Sequence, residues 1–210
     1  LGLALREVRR FEEAIAAHQQ AAAIDREVGD RHREGTAWNN LGLALREVRR
    51  FEEAIAAHQQ AAAIDREVGD RHGEGRALNN LGGALQQVRR FEEAIAAHEQ
   101  AAAIFQEMGD RHREGSAWNN LGNALRKVRR FEEAIDALQQ AATIYQEMGD
   151  RYGEGRALGN LGNALQELRR FEEAIAAHEQ AAAIFEAFGD DHSRGIALAN
   201  LAEDRRLRDG

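Results

Sequence analysis

The apolar positions of this chain recur at two intervals at once. Within a segment they return every three to four residues, and the whole pattern then returns every 40 residues. At about 100° per residue, the stretch after Asp30 places Ala37, Trp38, Leu41, Ala44, Leu45 and Val48 on one broad face. Thr36, Asn39, Asn40, Leu43, Arg46 and Glu47 fall on the other side. The next stretch groups Phe51, Ala54, Ile55, His58, Ala61, Ala62, Ile64 and Val68, and turns Glu52, Glu53, Gln59, Gln60 and Glu67 away. Each period therefore predicts two amphipathic helices, A and B, and neither can bury its stripe alone.

Punctuation agrees with this division. Gly29-Asp30 and its equivalents at 69–70, 109–110, 149–150 and 189–190 pair a helix-ending glycine with a helix-starting aspartate. Helix A is expected to begin near Asp30, Asp70, Asp110, Asp150 and Asp190 and to run about 18 residues. Arg49-Arg50 and its equivalents mark the short turn that follows. Helix B is expected from Phe51 to Val68, with Glu52 and Glu53 in the first turn, where carboxylates complement the helix dipole. Leu1–Asn40 and Leu41–Asn80 differ only at Arg33/Gly73, Thr36/Arg76 and Trp38/Leu78, and three further copies keep the register. A fixed period of this kind predicts a stack of helix pairs, each burying its apolar side against its neighbours.

Trp38, Leu41-Gly42, Leu45, Phe51, Ala54 and Ala61 stand at spacings that resemble the tetratricopeptide repeat, whose usual period is about 34. His58 departs from the aromatic residue that family prefers there. The Asn-Leu-Gly-Asn runs at 120–123 and 160–163 resemble the longer repeats of the Leu-Gly-Asn adaptors, and the Asn-Asn-Leu pattern is similar to that of kinesin light chains. The composition, rich in Ala, Arg and His, resembles repeat arrays of actinobacterial multidomain NTPase regulators. The resemblance implies an all-α, right-handed superhelical solenoid of antiparallel helix pairs that binds proteins and does not catalyse. The expected array runs over 1–210 as a single domain. Its units are about 1–29 (partial), 30–69, 70–109, 110–149 and 150–189, with 190–210 as a capping helix.

Composition narrows the function. There is no Cys and no Pro, so disulfides and thiolate metal sites are excluded and the helices carry no imposed breaks. A formal charge of -8 opposes the basic footprint of a nucleic-acid binder, and no apolar run approaches the roughly 18 residues of a membrane span. The expectation is a soluble, cytoplasmic chain that needs no nucleic acid, membrane or cofactor. Nucleophiles are scarce, since Lys127 is the one lysine and Ser116 and Ser193 are the only serines. No enzyme activity is expected.

Histidines recur at 18, 58, 98 and 178 on helix B and at 32, 72, 112 and 192 near the start of helix A. One per helix does not make the two-ligand pair of a helix-borne zinc site, so no metal is expected and the helix-B His reads as a core residue in the aromatic slot. Asp25 and Asp65 occupy helix B's apolar stripe where later copies have Phe105, Tyr145 and Phe185. They read either as partly exposed carboxylates with an Arg or His partner, or as a polar ligand contact confined to the first two copies. The Arg pairs 9–10, 49–50, 89–90, 129–130 and 169–170 read as a solvated turn edge balanced by the following Glu pairs.

The polar face of helix A is the expected binding site. In the resembled family the A helices line a groove, so residues one copy apart form ladders along it. Asn40, Asn80, Asn120, Asn160 and Asn200 make one such ladder, beside Asn39, Asn79 and Asn119, with Asn123 and Asn163 one step further. Amides both donate and accept, which suits gripping the backbone of an extended peptide. Arg46, Arg76, Arg126 and Arg156 add positive points that favour an acidic protein or peptide partner. Capture of a C-terminal carboxylate is not expected. The alternative reading is a self-assembling repeat without a separate ligand. In it, Leu1, Leu5, Phe11 and Ile15 of the uncapped first unit mediate head-to-tail homo-oligomerisation. The start at Leu1, midway through a helix A, suggests an array belonging to a larger bacterial protein.

Overall fold

The computed structural model describes Gly2 and residues 10–209. Among the described residues it contains ten helices and no strand. The chain divides into two compact units, 1–109 and 110–210, at one of the repeat boundaries marked by Gly-Asp.

The first unit comprises α1 (Phe11–Glu27), α2 (Arg31–Glu47), α3 (Phe51–Glu67), α4 (Arg71–Gln87) and α5 (Phe91–Met108). The second comprises α6 (Arg111–Lys127), α7 (Phe131–Met148), α8 (Arg151–Glu167), α9 (Phe171–Ala187) and α10 (Asp191–Asp209). Every helix packs on the next within its unit, and the A helices also touch one another, α2 with α4 and α6 with α8. Within each unit the A helices thus form one layer and present a common face.

The predicted punctuation operates through its expected physics. Asp30, Asp70, Asp110 and Asp150 each accept a hydrogen bond at Oδ1 from the backbone N–H three residues on. This satisfies one of the amides a helix start leaves open. Gly29, Gly69, Gly109, Gly149 and Gly189 all have φ between 66° and 76°. The turn from A to B is less relaxed: Arg49, Arg89, Arg129 and Arg169 sit at φ between 60° and 64°, without the freedom of glycine. Three of these guanidinium groups lie 5.7–5.9 Å above the ring of the Phe that opens helix B.

Each unit is built on small residues. Ala44, Ala54, Ala61 and Ala84 are fully buried in the first, and Ala124, Ala134, Ala141 and Ala164 in the second. Helices lined with alanine approach closely, and the approach at the Leu-Gly pair leaves no room for a side chain. A Cβ at Gly42 or Gly82 would come within 2.5 Å of the ring of His58 or His98, and one at Gly122 would come equally near Leu138 Cγ. The helix-B slot is therefore a flat-sided cavity over a glycine, filled by imidazole three times and by Leu138 once among α3, α5, α7 and α9.

Two features escape the hydrophobic pattern. Glu34, Glu74, Glu114 and Glu154 are buried near the start of each A helix. Each is held by the arginine three residues before it, Arg31, Arg71, Arg111 or Arg151. Arg31, Arg71 and Arg111 also reach the B helix that follows, at Glu67, Glu107 and Glu147. The second feature concerns Asp25 and Asp65, expected to be partly exposed. They are 4% and 2% exposed, because the site is a gap between successive A helices. Asp25 lies 3.5 Å from Arg33 Nε. Position 33 becomes Gly73 in the next copy, and burial, aided by Asp70, pushes the Asp65 carboxyl up to about 6 against the charges of Arg76 and His32.

Candidate functional site

The predicted asparagine ladders separate into two roles. Asn39 and Asn119 are buried, so they offer no free surface, contrary to the expectation that they flank the ligand. The reason is helix phase: position 39 points into the A–B contact, where the helix-B histidine needs a partner. Asn39 Oδ1 lies 3.1 Å from His58 Nδ1, and Asn79 Oδ1 lies 2.9 Å from His98 Nδ1. Each carbonyl fixes the tautomer with its proton on Nδ1. Burial drives the His58 pKa down to about 3, with the Arg46 charge adding to it, and that of His98 to about 4.

The outer ladder lies on the half-buried face of the A layer, at Asn40, Asn80, Asn120 and Asn160. Within each unit it is tied to the buried ladder one copy back. Asn80 Nδ2 donates to Asn39 Oδ1 at 3.0 Å, and Asn160 Nδ2 donates to Asn119 Oδ1 at 2.9 Å. Asn123 Nδ2 donates to the Asn119 carbonyl, and Asn163 Oδ1 accepts from Asn200. These bonds fix the orientation of the Asn80 and Asn160 amides.

The arginines of the molecule also fall into two sets. The turn arginines Arg50, Arg90 and Arg170 bridge Glu53, Glu93 and Glu173 at 2.6–2.7 Å and reach one copy back to Glu12, Glu52 and Glu132. The second arginine of each of these turn pairs is thus balanced by glutamates, while the first arginines Arg49, Arg129 and Arg169 lie over phenylalanine rings. On the A-helix faces, Arg46, Arg76, Arg126 and Arg156 form no salt bridge among the described residues, although the Arg76 charge is felt by the buried Asp65. The Nε atoms of Arg76 and Arg126 are buried without any hydrogen-bond partner. In a chain carrying eight more negative than positive charges, the face keeps its cations unpaired.

In the second unit this face opens into a cavity of about 340 Å³. Phe185, Ile196 and Ala197 supply its apolar walls, Asn160 and Asn200 its amides, and Arg156 its one charged group. A volume of this size is at the lower end of ligand pockets. In the first unit a cavity of about 490 Å³ occupies the matching position, with Asp25 in place of Phe185 and Thr36 in place of Ile196.

Leu1 and Leu5 lie outside the described residues. Ile15 is 4% exposed and Phe11 half-buried, so Ile15 presents no open apolar surface. No cluster of three or more His, Asp or Glu that could hold a metal occurs among the described residues.

A layer of A helices backed by B helices, with a polar, cation-bearing face and small side chains at every close contact, defines a helical repeat scaffold. The chain belongs to the tetratricopeptide repeat family, whose model matches residues 1–67, 34–107, 73–147, 113–187 and 153–209. No curated protein sequence matches it. Several solved structures share the fold. One is a signal transduction ATPase with numerous domains and a tetratricopeptide repeat sensor, from Pyrococcus horikoshii. It is 20% identical with a TM-score of 0.84, over 96% of this chain and 31% of that one. A putative kinesin light chain with nearly identical repeats from Podosopora anserina is also 20% identical, with a TM-score of 0.74 over 88% and 91% of the two chains. A Rap protein complexed with competence and sporulation factor is 16% identical, with a TM-score of 0.75 over 99% and 62%. Tetratricopeptide repeats generally mediate protein–protein interactions without catalysis. No helix among the described residues is long and apolar enough to cross a membrane.

Proposed function

We propose that the A-helix face binds an extended peptide, or an extended segment of a partner protein, with a preference for acidic residues. The observation that carries this reading is, in each unit, a pair of arginines without a salt bridge, Arg46 and Arg76 in the first and Arg126 and Arg156 in the second, on a face otherwise lined with oriented amides. A guanidinium without a counter-ion in a strongly acidic chain is a site that an external carboxylate completes. The asparagines supply sequence-tolerant contacts to a peptide backbone, and the cavities of the two units supply side-chain subsites. The Rap protein, solved with a bound factor, and the sensor array of the ATPase give the same architecture a recognition role in those proteins.

The chain acts in this reading as a recognition scaffold, not as an enzyme. Head-to-tail assembly is the weaker reading because α10 is altered where a further helix B would dock. Ala202 replaces the glycine of Gly42, and Arg205, bridged to Glu179 at 2.6 Å, replaces the leucine of Leu45. The test is panning of a displayed library of random dodecapeptides on the immobilised full chain. Enrichment of Asp- and Glu-containing peptides is expected, with loss of that enrichment when Arg46, Arg76, Arg126 and Arg156 are changed to Ala. Recovery of the same peptides by the quadruple variant rejects the assignment.

A further inference from the structure

The array abandons its inner asparagine ladder after the third copy. Where earlier A helices carry Asn39, Asn79 and Asn119, α8 carries Gly159. In the first unit the amide of Asn39 serves both His58 and Asn80. Without an amide at 159, both corresponding partners turn elsewhere. Asn200 donates to Asn163 Oδ1 at 2.9 Å, and His178 Nδ1 lies 2.6 Å from Asp204 Oδ2.

Asp204 is itself out of pattern, since Ala44, Ala84, Ala124 and Ala164 fill its position and are fully buried there. Both Asp204 and His178 are 0% exposed. A carboxylate in that slot is tolerated only with a partner, and its partner is the imidazole that Gly159 has left without one. Two departures from the repeat, 45 residues apart, therefore compensate each other in space.

What the exchange leaves behind is room. A Cβ at Gly159 would meet only the Ala181 methyl, at 4.0 Å, so a side chain there would extend into the 340 Å³ cavity it now borders. Phe185, Ile196 and Ala197 form the cavity's apolar wall, Asn123, Asn160, Ser193 and Asn200 supply neutral polar groups around it, and no carboxylate lines it. Arg156 is its one charge, exposed and unpaired.

We infer that Gly159 determines ligand specificity in the second unit. By omitting the amide it opens a pocket for an aliphatic side chain of an extended peptide, whose neighbouring acidic side chain pairs with Arg156, while Asp204 takes the place of the amide at His178 Nδ1. The inference rests on the peptide-binding reading of this face and names the residue type it selects.

The probe is the set of peptides recovered by panning, resynthesised with amidated C termini so that a side-chain carboxylate, and not a chain end, is what Arg156 receives. Affinities are measured by fluorescence anisotropy. The recovered peptides are expected to carry Leu, Ile, Val or Met directly beside Asp or Glu, and replacing the aliphatic residue by Ala should weaken binding at least about tenfold. Gly159→Asn combined with Asp204→Ala rebuilds the arrangement of the earlier repeats. It should keep its melting temperature within a few degrees and lose the same affinity. Gly159→Asn alone, with Asp204 still on His178, should lose it too. Folded variants that bind as well as the wild type, or peptides indifferent to the Ala replacement, overturn the inference. If Arg126→Ala and Arg156→Ala still abolish binding in that case, the reading of the face survives. A library yielding no peptide that depends on these arginines overturns both.

Discussion

At the scale of single residues, the histidines of helix B decide how the molecule responds to acid. His58 and His98 are wholly buried and neutral, with pKa values pushed down to about 3 and about 4 by burial. The unfolded chain takes up these protons near 6.5, so between there and pH 4 it binds more protons than the fold, and stability falls as the pH is lowered. Asp65 works the other way. Its carboxyl is pushed up to about 6 from an ordinary 3.8, so in that interval the folded state holds the extra proton and its contribution improves on acidification. Two imidazoles outweigh one carboxyl. Going from pH 7 to pH 5 should lower stability by on the order of 1–2 kcal/mol. Denaturant unfolding at the two pH values checks this, and His58→Leu with His98→Leu, which copy the occupant of the Leu138 slot, should abolish most of the pH difference. An unchanged loss in the double variant would place the acid sensitivity elsewhere.

The same slot shows what residue types disclose. His at a position suited to an aromatic side chain was readable as a core residue, and that reading holds at 58, 98 and 178. Its partner was not readable. Asn39 and Asn40 are adjacent and identical in type, and only the phase of the packed helix sends one amide to the imidazole and the other to the open face. Asp204 carried a usable signal, a charged residue at a position otherwise held by alanine, but the residue that answers it lies 26 positions away on another helix.

At the scale of the element, the repeated glycines are not equivalent. Gly82 faces the His98 ring so closely that a methyl group must displace it, and Gly82→Ala should cost about 1–3 kcal/mol through overpacking. Gly195 in α10 has no neighbour within 4 Å of where a Cβ would stand, and Gly195→Ala should stabilise by about 0.5–1 kcal/mol through helix propensity. Thermal melts of the two variants should therefore move in opposite directions. Both glycines lie inside helices whose starts the chain announces openly, with Asp70 and Asp190 as caps, just as a positive-φ glycine closes each B helix before them. The elements were legible for that reason: helix period, cap and stop are local properties, set by residues within a few positions of one another.

At the scale of the whole molecule, each helix pair is held by its neighbours, and the charge of the array is unevenly used. The second arginine of the turn pairs, Arg50, Arg90 and Arg170, is bridged to glutamates of the same and the preceding copy, whereas Arg46, Arg76, Arg126 and Arg156 on the A-helix faces form no salt bridge among the described residues. Binding of the recovered acidic peptides should accordingly weaken as salt rises from 50 to 500 mM, over which the screening length shrinks by roughly a factor of three. Arg156→Ala should flatten that dependence for peptides seated in the second unit, and anisotropy titrations across the salt series measure both. Salt-independent binding would point to an apolar surface instead of the arginine-bearing face.

The amino-acid sequence by itself determined the helical repeat, its register, the element boundaries and the residue types on each face, because those follow from period and local capping. Tertiary packing alone decided which asparagine of each pair is spent inside, that Asp25 and Asp65 are buried, and that Gly159 and Asp204 answer each other. Those outcomes depend on distances between helices separated by a turn or a whole copy. No local pattern encodes them, since the same residue types would serve equally well on either side of the layer until a neighbour is placed against them.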